Sequence, residues 1–292
     1  MKKKMKQPMT LKPEEIPGLL PKRIADSNKG TYGKLIIIAG RKECVGCAIL
    51  SALAALRSGL GMVKVVSAKS NFTALMNAVP ESLFSSETDE ASLKADISWA
   101  DAVLIGPGIG TGKKAEKLLE SVLQTRGIPV VIDADGINLI SQNELLREEL
   151  KQKASVDTVI LTPHLMEMSR FSGLTVSEIK KSMTETVVSI AKTYSTTVAL
   201  KDARTVTASS YGDVIINTTG NNGMSTAGSG DVLAGIVASF LAQSLSGFVA
   251  ASLGVYIHGM AGDIAAERFG VRGMKAMDIA EALPEVFLRI ER

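Results

Sequence analysis

A chain of 292 residues, 46% apolar, is long enough for one large α/β domain or two small ones; a net charge of +3 and 4% aromatic residues offer neither the basic face nor the stacking platforms of a nucleic-acid binder. No run of about eighteen apolar residues marks a membrane span, and the basic start MKKKMK has no apolar stretch behind it to form a secretory signal. The expectation is a solvated tail on a cytoplasmic protein that binds neither nucleic acid nor membrane.

Residues 1–29 carry Pro13, Pro17 and Pro21 and read as an irregular N-terminal arm. Residues 30–292 contain no linker, repeat or low-complexity tract and read as a single domain. Residues 35–39 (LIIIA) are a short branched apolar run ended by Gly40, the pattern of a strand buried on both faces. A helix over 48–57 and a strand over 62–67 follow, making a parallel crossover unit. Between this strand and helix lie the only cysteines, Cys44 and Cys47 in a CxxC. One pair cannot complete a four-ligand zinc site, and His164 and His258 are distant in sequence. Cys47 is read as a small residue where a helix meets a ligand, with a redox role as the alternative.

Residues 71–78 read as a helix and 81–85 as a weaker strand. The strand at 102–105 runs into Gly106-Pro107-Gly108-Ile109-Gly110, with a helix over 113–124 behind it. GPGIGTGKK has neither the spacing of a phosphate loop nor that of a dinucleotide fingerprint, yet a Gly-rich turn at the carboxyl end of a parallel strand is where such sheets bind ligands. A strand at 130–132 ends in Asp133-Ala134-Asp135-Gly136, two acids that either bind Mg²⁺ through water or anchor neighbouring loops. A strand at 158–161 is followed by Thr162-Pro163-His164, where His164 and Glu167 share one face of a helix start, as a surface contact or a functional pair. Helices at 175–180 and 183–194, a strand at 197–200 ending in Lys201, and a hairpin of 205–208 with 213–217 come next. Helices at 231–243, 248–269 and 277–292 close the chain. A mostly parallel sheet between two helical layers accounts for this order.

Residues 220–235 (GNNGMSTAGSGDVLAG) carry the chemistry. A loop rich in Gly, Asn and Ser becomes a helix near Ser229, and the first helical amides, unpaired and at the positive end of the dipole, stabilise a phosphate there. Gly228 and Gly230 are read as removing β-carbons that would keep a ligand off the backbone. Asp231, in the first turn and held ionised by the same field, is placed to take a proton from an attacking hydroxyl. A cap needs one small or polar residue, whereas this stretch sets five glycines around one acid.

Together AGRKECVGCAILSALAALRSGLG, LIGPGIGTG, VVIDADGINL, LTPHLMEMSR and NTTGNNGMSTAGSGDVLAGIVASFLAQ stand in an order and spacing that resembles the NAD(P)HX dehydratase family of the ribokinase-like superfamily, from about Lys34 to about Leu283. The resemblance implies a ribokinase-like three-layer α/β/α sandwich. It implies dehydration of the S epimer of NADHX or NADPHX to NADH or NADPH, with ADP, or ATP, as co-substrate alongside Mg²⁺, and ADP split to AMP and phosphate. Asp231 would meet the substrate hydroxyl as base, with the Gly228, Ser229 and Gly230 amides on the phosphoryl group. Cys47, Gly110, His164 and Glu167 would contact the hydrated cofactor, and Lys201, Asp202, Ala203, Arg204 and Thr205 the adenine nucleotide. The likeness and the apolar stretch 248–260 imply a homo-oligomer, a tetramer. Cys47 stands where the family usually has Ala, Met166 where it favours Gly, and Asp202 where it usually has Gly. The competing readings are a small-alcohol kinase of the same superfamily and a non-catalytic nucleotide-binding protein.

Overall fold

The computed structural model describes residues 7–86 and 90–291, the Glu90 side chain excepted; the MKKKMK tail and Arg292 lie outside the described residues. In chain order the elements are α1 (Ile16–Leu19), β1 (Lys34–Ile38), α2 (Gly46–Arg57), β2 (Met62–Ser67), α3 (Phe72–Ala78), β3 (Leu83–Ser86), α4 (Glu90–Trp99) and β4 (Ala102–Ile105). There follow α5 (Lys113–Gln124), β5 (Val130–Ile132), α6 (Asp135–Gln142), α7 (Glu144–Val156), β6 (Val159–Leu161), α8 (Leu165–Ser172), α9 (Val176–Lys181), α10 (Met183–Tyr194) and β7 (Thr197–Leu200). The last are β8 (Val206–Ala208), β9 (Val214–Ile216), α11 (Ser229–Ala242), α12 (Gly247–Gly273) and α13 (Ala276–Ile290).

The nine strands form one sheet in the order β3-β2-β1-β4-β5-β6-β7-β8-β9, parallel up to β7 and antiparallel across β8 and β9. Alternation along β1 divides the core. Leu35 and Ile37 face a cluster completed by α2, α11, α12 and α13, whereas Ile36 and Ile38 face one completed by α4 to α10. Both faces of the central strands are covered, which is why β1, β4, β5 and β6 read as apolar runs instead of alternating ones.

The arm, mostly exposed, is tied down at two points. Ile16 is buried in the first cluster, and Met9 pairs with Ile215, its amide donating to Val214 O at 2.9 Å. Helix α12 is long and apolar enough to cross a membrane by length and composition, but 78% of its most apolar window is buried inside the fold, as in a core helix. The stretch 248–260, whose apolar character pointed to assembly, is largely spent in the subunit's own core. The helix breaks its regular geometry at Gly270, close to the end expected at 269.

The direction of winding reverses at β1, which has β2 on one side and β4 on the other. Ligands in such sheets bind outside the carboxyl ends of the strands at that switch point. The turns after β1, β4, β5, β6 and β7 all emerge on this edge.

Candidate active site

Helix α11 is placed by close packing. A Cβ on Gly235 would collide with Ser51 O of α2, and a Cβ on Gly228 would collide with the Leu50 side chain. Gly228 also holds φ at +89°, a region costly for residues with a Cβ. Its bare backbone therefore seats the helix against α2, and the reading that it clears a path for ligand is corrected to that extent. Gly230 differs: its nearest neighbour at a Cβ position is Lys201 Nζ, 3.3 Å away.

Asp231 occupies the first turn of α11 and is mostly buried. Among the described residues its carboxyl oxygens have no hydrogen-bond or ion-pair partner, although its own carbonyl accepts from Ser51 Oγ at 3.0 Å. Burial pushes this carboxyl up to about 7, with Asp133 and Asp135 adding to the rise and Lys201 opposing it. The helix field alone would keep the group ionised; desolvation overrides it, which corrects that expectation, and the acid is poised near neutrality.

Lys201, at the end of β7, is the hub. Its amide donates to Pro163 O at 2.8 Å, and a single bridge between His164 and Lys201 carries the β6–β7 pairing into the site. Its ammonium lies 2.7 Å from Asp133 Oδ1, which also accepts from Thr162 Oγ1 at 2.8 Å. Burial works against the lysine's charge, but Asp133, Glu167 and Asp231 outweigh it and hold the ammonium above its ordinary value. Asp133 is 1% exposed, so the pair fixes Lys201 beside the first turn of α11 at a desolvation cost that only a close, hydrogen-bonded partner offsets.

The other acid of the strand tip, Asp135, starts α6, and its Oδ2 accepts from the Gly110 amide at 2.8 Å. Both DADG acids thus anchor neighbouring groups, one of the two alternatives open for them. Among the described residues there is no cluster of three His, Cys, Asp or Glu side chains able to hold a metal.

His164 and Glu167 form a reciprocal cap on α8. The Met166 and Glu167 amides donate to His164 Nδ1 at 3.0 and 3.2 Å, and the His164 amide donates to Glu167 Oε2 at 2.8 Å. With Nδ1 accepting, the ring proton sits on Nε2, 3.2 Å from Glu167 Oε1. Burial, then the Lys201 charge, lowers the His164 pKa, and burial raises Glu167 to about 7. Cys47 is buried in the first turn of α2, and burial, reinforced by the Asp231 charge, drives its thiol far up.

A cavity of about 670 Å³ opens beside this cluster, a size suited to a nucleotide. His164, Lys201, Asp202, Ala203, Arg204, Thr205, Ser229 and Gly230 line it, whereas Gly228, Asp231, Cys47, Gly110 and Glu167 do not. Asp202 is exposed, its Oδ2 3.8 Å from Lys180 Nζ. The far wall was not assigned from sequence: Asn217, Thr219, Asn221, Val255 and His258 line it too. His258 Nε2 lies 3.3 Å from Ser229 Oγ, and burial lowers its pKa to about 4, so it is a neutral wall residue. A lone histidine inside an apolar helix was the available signal. The Asn217–Asn221 turn is fixed by Asp263, whose carboxylate accepts from the Gly220 amide and Asn221 Nδ2, each at 2.9 Å.

The family profile described as NAD(P)H-hydrate dehydratase matches residues 35–285. The chain is 36% identical over 282 residues to the bifunctional NAD(P)H-hydrate repair enzyme Nnr of Moorella thermoacetica, covering 93% of this chain and 52% of that one, so it spans about half the length of such relatives. It is 35% identical over 270 residues to the ADP-dependent (S)-NAD(P)H-hydrate dehydratase of Neisseria meningitidis, covering 91% and 89% of the two chains. Among solved structures, the ADP/ATP-dependent NAD(P)H-hydrate dehydratase of Bacillus subtilis co-crystallised with ATP and Mg²⁺ superposes with a TM-score of 0.85 at 28% identity, over 96% of this chain and 98% of that one.

Proposed function

Because the chain belongs to the NAD(P)H-hydrate dehydratase family and has its ribokinase-like α/β fold, we propose that it dehydrates the S epimer of NADHX or NADPHX to NADH or NADPH while ADP is converted to AMP and phosphate. The observation that carries the reading is Asp231: a largely buried carboxyl with no protein partner among the described residues, raised to about 7, on the helix turn that borders the cavity.

The ring hydroxyl of the hydrate is a poor leaving group. Asp231 takes its proton as the oxygen attacks phosphorus, and a base with a pKa near neutrality is suited to that transfer. The amides of Gly228, Ser229 and Gly230 at the positive end of α11, with the Lys201 ammonium, stabilise the charge on the moving phosphoryl group. Phosphate, a far weaker base than hydroxide, then departs, and loss of the proton on the neighbouring ring carbon to solvent restores the double bond of the dihydronicotinamide. Lys201 to Thr205 hold the nucleotide, and the Gly110 loop, His164, Glu167 and Cys47 border the hydrated cofactor. Since Asp133 and Asp135 are engaged by Lys201 and the Gly110 amide, Mg²⁺ would ride on the nucleotide phosphates and water, neutralising their charge. A cytoplasmic homotetramer completes the proposal.

The test is incubation with chemically hydrated NADH and ADP, watching dihydronicotinamide absorbance. Its return, with AMP and free phosphate, is the expected result. Accumulation of a phosphorylated product instead would identify a kinase.

A further inference from the structure

Neither cysteine takes part in a bond-making step above, yet the two sulfurs are brought face to face under the substrate-side loop. We propose that Cys44 and Cys47 are a redox modification site: a small-molecule disulfide closes them into an intramolecular disulfide that weakens the enzyme's hold on the hydrated cofactor. This rests on the function proposed above for the identity of that ligand.

The geometry prepares the pair. Cys44 is half-buried just ahead of α2, on a turn in which its amide donates to Arg41 O at 3.0 Å and Glu43 holds a φ of +69°. Cys47 is buried one residue inside the helix, and its Sγ lies 4.0 Å from that of Cys44. Closure needs about 2.05 Å, a rotation of one or both side chains with a small movement of the turn. The two differ in burial: half-buried Cys44 is the one an external disulfide would meet first, while Cys47, buried and with its thiol pushed up by burial, follows once a mixed disulfide stands beside it.

Atoms and electrons balance. The Cys44 thiolate attacks one sulfur of the external disulfide, such as oxidised glutathione, and expels one thiolate. Cys47 then gives up its proton and attacks the Cys44 sulfur, breaking that sulfur's bond to the small molecule, which leaves as the second small thiol. Two protein thiols lose two electrons and two protons; the external disulfide becomes two thiols.

The consequence falls on the loop that carries Gly110. Cys47 Sγ–H donates to Cys44 O at 3.1 Å and to Pro107 O at 3.3 Å, and oxidation removes this donor. Both sulfurs pack where a Gly108 side chain would stand: a Cβ there would collide with Cys47 Sγ and lie 3.0 Å from Cys44 Sγ. The same two turns are zipped together by Gly40 N to Pro107 O at 2.9 Å and Arg41 N to Gly108 O at 2.7 Å. Drawing Cys44 toward Cys47 therefore pulls Arg41, whose side chain lies 3.4 Å from the Cβ position of Gly110.

The test compares reduced protein with protein treated with oxidised glutathione. Mass spectrometry should register loss of two hydrogens without an adduct. Calorimetry should register weakening of hydrated-cofactor affinity by about tenfold, equivalent to about 1.4 kcal/mol, restored by dithiothreitol and absent in Cys44→Ser, with ADP affinity unchanged throughout. A glutathione adduct that never closes, or a closed disulfide with unchanged hydrate affinity, overturns the proposal. If reduced protein neither binds nor turns over the hydrate, the proposed function fails; the mass measurement still decides whether the disulfide forms.

Discussion

Asp231 is where burial and helix polarity compete, and burial wins. Between its ordinary value of 3.8 and about 7, the folded protein binds a proton at this carboxyl that the unfolded chain releases. Stability from this group is therefore full below the unfolded value and lost as pH rises through about 7, by about 1.4 kcal/mol for each pH unit between the two values. Asp231→Asn should melt higher than wild type at pH 8, with the difference vanishing near pH 4; calorimetric melts at the two pH values check this. The same group sets the rate. As a base it must be unprotonated, so wild-type kcat/KM should fall about tenfold per pH unit below about 7, and the Asn variant should lose a factor of about 10² to 10⁴ while its ADP affinity stays near wild type. A variant that turns over normally would remove Asp231 from the chemistry. Asp231 was legible in the sequence because an acid among glycines at a helix start is unusual. Its protonation state was not, since it depends first on burial and then on Asp133, Lys201 and Asp135, all of which follow only from the folded sheet.

Helix α11 serves two ends through neighbouring glycines, and substitution separates them. Gly228→Ala meets both a left-handed backbone and the Leu50 side chain, so a loss of about 1–3 kcal/mol in denaturant unfolding is expected. Gly230→Val meets only the Lys201 ammonium, 3.3 Å from the Cβ position at the cavity wall, so the fold should survive while ADP affinity drops at least tenfold in calorimetry. Equal effects on stability from both would contradict the division. Element by element, the central strands were read most directly, because burial on both faces writes β1, β4, β5 and β6 as apolar runs. Helices α4, α6 and α7 went unread. Helix α6 begins at Asp135 only two residues beyond Asp133, so a stretch with the look of a strand tip is already a helix start. The polar face of α7 hides its inward side, where Leu146 and Leu150 are buried.

At the scale of the molecule, β1 divides the sheet and gathers five turns on one edge, so a site drawn from residues far apart in sequence was partly visible as motifs. The cavity wall of Asn217, Thr219 and Val255 was not, because nothing local marks residues that meet only across a turn and a distant helix; His258 alone carried a signal, as a lone histidine in an apolar helix. The proposed tetramer takes no support from the apolar stretch 248–260, which is buried within one subunit. Multi-angle light scattering should still give four subunits, and a monomer at micromolar concentration would end that part of the proposal. Helix α12 carries one more consequence. Until it docks, a nascent chain displays a long greasy segment that membrane-insertion machinery and chaperones are built to capture. By the time it leaves the ribosome, the strands and α2 that receive it have already been synthesised, so its late place in the chain shortens the interval of that exposure.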